Sequence, residues 1–142
     1  VLFFGIFVTM TPALAYLNDH AATLGLSHTW QFYYATGALS SFLDNTPTAV
    51  AFHSVASGLT PEQLTAFGTD FVAGIPELLL QAICLGAVFF GAMTYIGNGP
   101  NFMVKAIAEE NGVKMPSFFG YILKFALVVL LPVYVLAQLI FL

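Results

Sequence analysis

The chain contains no arginine, and its positive charge is confined to Lys105, Lys114 and Lys124. With seven acids the formal net charge is -4, which excludes the basic face a nucleic-acid partner requires. Charge of either sign is scarce: 7% of the 142 residues are charged and 59% hydrophobic, against about a quarter charged in a soluble domain. The single cysteine, Cys84, cannot close an intrachain disulfide, and its apolar neighbours read as the surroundings of a buried, inert thiol. No strand alternation stands out, and open sheets do not survive in lipid. His20, His28 and His53 share no metal-binding spacing, and no nucleophile elbow surrounds Ser40 and Ser41. A metal enzyme and a serine hydrolase are therefore set aside, and no cofactor is expected. What remains is an all-α integral membrane protein in a lipid bilayer.

Long apolar runs place the elements. A spanning helix takes about 20 largely apolar residues. Residues 1–17, "VLFFGIFVTMTPALAYL", nearly suffice, and "NDHAATLGLSH" reads as an interfacial turn. The chain opens inside that apolar run, without a methionine or the basic start of a signal peptide. We therefore read Val1 as an internal cut and the chain as the C-terminal part of something larger. Residues 29–43 make a helix of only about 22 Å; a polar cluster follows, then a second short apolar piece over 49–57. Thr60-Pro61-Glu62 signals another helix start. Residues 71–96 are long enough to span, break at "GNGPN" and resume as "FMVKAIAEE". Residues 118–142 form the last span, with Lys124 snorkelling near its start. Trp30, Tyr33 and Tyr34 fit an interfacial aromatic belt. Short lysine-bearing loops stay cytoplasmic, so the segment 105–124 is placed inside and the C-terminus outside.

The two interruptions carry the chemistry. In "LDNTPTA", Asp44, Asn45 and Thr46 precede Pro47; in "IGNGPNF", Gly97, Asn98 and Gly99 precede Pro100. Proline suits the first turn of a helix, so Thr46 and Gly99 are expected to cap new half-helices. Non-helical backbone at membrane depth is tolerated only when buried in protein or lining a wet cavity. At such a break, free carbonyl oxygens face a cation and free N–H groups face an anion. A carboxylate there costs roughly 2.5–3.5 kcal/mol on the lenient insertion scale, and no arginine exists to pair with Asp44.

"SSFLDNTPTA" resembles the hairpin-tip motif of the ion transporter superfamily, which includes citrate and dicarboxylate carriers and sodium/proton antiporters. With Asp44-Asn45 before the proline and serines a turn earlier, it is most similar to the NhaD-type antiporters. "GAMTYIGNGPNFMV" resembles the unwound loop facing that hairpin. The resemblance implies the second inverted repeat of a transporter: a last scaffold helix and connecting segment over residues 1–28, and half of a transport domain over 29–142. Within that half it implies a re-entrant hairpin at 29–57, a discontinuous transmembrane helix at 71–110 and a final span at 117–142. It also implies a missing N-terminal repeat as partner, a homodimer and a bacterial inner membrane.

Secondary active transport follows as the expectation. Asp44 in a dry pocket would hold either sodium or a proton, the minimum for sodium/proton antiport. Sodium would sit on Asp44 and Asn45, with Thr46 and Thr48 adding oxygens. Asn98 and Asn101, with carbonyls near Gly97 and Gly99, would complete the cage, and Ser40 or Ser41 could contribute. The alternative is sodium-coupled symport of citrate, a dicarboxylate or a similar small anion. His53 is read as a packing residue, and Glu109 and Glu110 as solvated.

Overall fold

The structure is a computed structural model describing residues 2–142, apart from the side chains of Leu2, Phe3 and Phe7. Val1, where the sequence reading places a cut, lies outside the described residues. Helix α1 (Leu2–Asp19) passes through a single 3-10 turn, Ala21–Leu24, into α2 (Thr29–Ser40) and α3 (Asn45–Ser57). A short α4 (Pro61–Thr65) precedes strands β1 (Phe71–Val72) and β2 (Ile75–Pro76). Helices α5 (Glu77–Phe90), α6 (Gly99–Glu110) and α7 (Phe118–Phe141) complete the chain, which is mostly helical. Among the described residues, α7 is the one helix long and apolar enough to cross a membrane.

Local chemistry explains where the elements start. Thr60 and Gln63 form a reciprocal capping box on α4, the Thr60 N–H donating to Gln63 Oε1 at 3.0 Å. Ser117 accepts the Gly120 N–H at 3.2 Å and opens α7. Within α7, Ile122–Leu130 is π-helical, and this stretch ends just before Pro132, which has no N–H to donate.

Three expectations change here. Residues 71–76 do not extend α5 towards its N-terminus; they form an antiparallel two-residue hairpin, Phe71 opposite Pro76 and Val72 opposite Ile75. Its turn, Ala73-Gly74, takes φ of 52° and 85°, the paired positive values that a tight primed hairpin turn requires. The caps also move. Asp44 caps α3, putting Pro47 in the third helical position, and Asn98 caps α6 ahead of Gly99 and Pro100. Cys84 is exposed rather than buried, because α5 turns Glu77, Gln81, Cys84 and Val88 away from the packed side.

Helix α2 is clamped between α3 and α5. Ala35 and Leu39 of α2 share one apolar cleft with Ala51, Phe52 and Val55 of α3, so the two helices lie side by side as a hairpin. On the other side, α2 crosses α5 so closely that a Cβ on Gly86 would strike the Tyr33 carbonyl. Tyr33 and Tyr34 belong to this packing and not to a surface belt. Tyr33 is fully buried, with its ring 5.4 Å from Phe90, and its hydroxyl donates to the Tyr134 carbonyl at 3.0 Å. Tyr34 donates to Gln138 Oε1 at 3.1 Å. These two bonds pin α7 to α2. Trp30 is exposed.

Candidate functional site

Helix α2 stops at Ser40 and α3 starts at Asn45, so residues 41–44 form the first break. The Phe42 and Leu43 N–H groups both donate back to the Leu39 carbonyl, tightening the last turn of α2. Asp44 then takes extended backbone, φ -60° and ψ 146°, and its carboxylate accepts the Asn45 N–H at 2.8 Å. The first break is thus a helix C-terminus set against a helix N-terminus. Residues 91–98 repeat the arrangement between α5 and α6, with Asn98 Oδ1 accepting the Asn101 N–H at 3.0 Å.

The two breaks touch. Ser40 Oγ shares its proton between the Ala87 carbonyl at 2.6 Å, on α5, and Asn45 Oδ1 at 2.9 Å. Asn45 Oδ1 in turn lies where a side chain on Gly91 would be. A Cβ at Gly97 would meet three carbonyl oxygens at once: Gly91 at 2.5 Å, Ser41 at 2.9 Å and Ser40 at 3.0 Å. Only glycine fits there, and the result is a cradle in which carbonyl oxygens from both breaks converge. Thr94, 2% exposed, donates its hydroxyl proton to the Ser41 carbonyl, and Asn101 Nδ2 donates to the Gly91 and Thr94 carbonyls at 3.2 and 3.3 Å. Uncharged oxygens on non-helical backbone are a donor set suited to a hard monovalent cation.

The expected residues divide into three groups. Ser41, Asn45, Gly97 and Asn101 are drawn into the junction, Ser41 through its carbonyl; its hydroxyl donates locally to Gly37 at 2.9 Å. Asn98 is occupied in capping α6, and buried Thr48 donates to the Asp44 carbonyl at 3.0 Å. Asp44, Thr46 and Gly99 stand exposed on the rim. The dry enclosure expected for Asp44 is therefore not what this chain forms around it: the cap geometry turns the carboxylate outward. Thr94 and Gly91 are not among the expected site residues: both lie in the stretch that resembles the unwound loop, but neither borders a proline or an acid. The wider spacing of small residues in "GAMTYIGNGP" is the one signal that could have marked them.

Other histidine and carboxylate expectations resolve away from the junction. His53 Nε2 lies 3.1 Å from the Ala73 carbonyl, tying α3 to the strand hairpin. Glu109 is exposed but accepts a hydrogen bond from the Lys105 ammonium at 2.6 Å, with Lys105 Nζ 5.4 Å from the Tyr95 ring. Among the described residues no group of three or more His, Cys, Asp or Glu could hold a metal.

A family described as "Putative citrate transport" matches the chain over residues 1–142, and the chain belongs to that family. The match falls on the citrate-carrier side of the resemblance seen in residues 40–49 and not on the NhaD-type antiporters. No curated protein and no solved structure matches it.

Proposed function

We propose that this member of the citrate transport family binds a small carboxylate anion with a sodium ion where its two helix breaks meet, and carries both across a membrane. One observation carries the reading: carbonyl oxygens of Ser40, Ser41 and Gly91 gather around Gly97, beside the N-termini of α3 and α6. The carbonyls favour the cation, and the half-helix N-termini, with Thr46 on the rim, favour carboxylate groups. Helices of 12 or 13 residues either side of the first break are too short to cross, at about 1.5 Å per residue, so the α2–α3 hairpin enters and leaves on one side. Helices α5 and α6 would together form the discontinuous span, and α7 the final one.

Sodium/proton antiport on Asp44 is the second reading, favoured by the position of Asp44 as the cap of α3 at the junction. It requires a further segment, such as a first repeat or a second copy, to cover the exposed carboxylate. Uptake of radiolabelled citrate by the full-length protein in proteoliposomes separates the two. An inward sodium gradient is expected to drive citrate accumulation. Sodium-driven proton movement with no citrate uptake would overturn the symport reading in favour of the antiporter.

A further inference from the structure

We propose that Thr94 is the positioning residue that holds the two breaks in register, so that its hydroxyl sets cation affinity without touching the cation. The inference rests on the symport reading of the junction. A threonine in a helix ordinarily spends its hydroxyl on the carbonyl one turn back. Thr94 lies in the second break, outside any helix, and is free of that habit. Its Oγ1 gives its proton to the Ser41 carbonyl across the junction and accepts the Gly97 N–H at 3.0 Å and the Ile96 N–H at 3.3 Å. The Thr94 carbonyl also receives Asn101 Nδ2 at 3.3 Å, which joins the first turn of α6 to the same point.

One buried oxygen therefore fixes the first break at Ser41 and the second at Gly97. Those are two of the places that bound the carbonyl cradle. Removing the hydroxyl leaves a buried carbonyl and two N–H groups without their partner, and the backbone can satisfy them only by shifting. Any such shift moves the Ser41 oxygen relative to those of Ser40 and Gly91. The consequence is specific. Cation affinity falls, while a site saturated with cation still turns over.

The test compares Thr94→Ser, which keeps the hydroxyl, with Thr94→Val, which keeps the shape and loses it, in the full-length protein in proteoliposomes. Thr94→Ser should retain the wild-type sodium dependence of citrate uptake. Thr94→Val should raise the half-saturating sodium concentration about tenfold, with the maximal rate largely kept. An unshifted sodium dependence in Thr94→Val overturns the inference, and so does an equal loss in both variants. Should Thr94→Val fail to elute as folded protein, Thr94→Cys, a weaker donor of similar volume, is read instead, and a wild-type sodium dependence in it is equally fatal. If wild-type uptake shows no sodium dependence, the symport reading fails separately. The half-saturating citrate concentration is then compared in the same variants, with the same ordering expected and the same outcomes contradicting it.

Discussion

At Asp44 the carboxylate takes the Asn45 N–H at 2.8 Å and faces outward, so its evident task is to end one chain direction and begin α3. Replacing a capping side chain by alanine costs about 1 kcal/mol, whereas asparagine caps as well as aspartate. Asp44→Ala is accordingly expected to lower the unfolding temperature of the purified protein, and Asp44→Asn to leave it unchanged. Citrate uptake should survive Asp44→Asn. Its abolition, with the fold intact, would return a charge-dependent role to this side chain. The exposure of Asp44 and of Cys84 was not legible in the sequence, because each depends on which way a helix or cap is rotated. Neighbouring residue types carry no record of that rotation. Tyr33 is ambiguous for the converse reason. An aromatic near a helix start suits a membrane interface and a packed core equally, and its bond to the Tyr134 carbonyl joins residues 101 apart.

Between elements, the decisive fit is α2 and the first break against α5 and the second. Gly97 is buried under three carbonyl oxygens, so Gly97→Ala must push the breaks apart or distort one of them. A methyl forced into a packed site costs roughly 1–3 kcal/mol. The expected outcome is loss of citrate uptake while α7 still inserts and the protein remains monodisperse. Uptake at the wild-type rate would show that the breaks need not touch. Both breaks are legible in the sequence, because Pro47 and Pro100 with their flanking Asn, Gly and Thr are local signals needing no knowledge of packing. Their caps were displaced, by two residues at Asp44 and one at Asn98. Proline is tolerated anywhere in the first turn and therefore does not single out the capping residue. The two-residue strand hairpin escaped because its pairing is shorter than any alternation a sequence could display. Thr94 is not legible because the acceptor of its hydroxyl proton lies across the junction, 53 residues away at Ser41.

Taken whole, the molecule packs an apolar core, yet it also leaves many large apolar side chains on its surface while burying hydroxyls where the breaks meet. Phe4, Phe119, Leu139 and Ile140 are each at least 70% exposed, while Ser40, Ser41, Thr48 and Thr94 are buried. Such a surface calls for lipid or further protein around it. Helix α6 extends this pattern, with Phe102, Met103, Val104 and Ile107 all exposed along one short helix. Its Lys105–Glu109 pair is an i,i+4 contact on a partly exposed face, which adds only about 0.3–0.5 kcal/mol. The helix is held instead through Asn98 and Asn101 at its N-terminus, where it meets the second break. That same end supplies the most direct test that ligand binds where the breaks meet. Gly99 is exposed with nothing within 4 Å of where a Cβ would be, so a cysteine is accommodated there. The measurement is the rate of maleimide labelling of Gly99→Cys, in a Cys84→Ser background that still takes up citrate. Sodium and citrate together are predicted to slow the labelling, and neither alone should match the pair. Labelling indifferent to both ligands, in protein that transports citrate, would contradict a site at this junction.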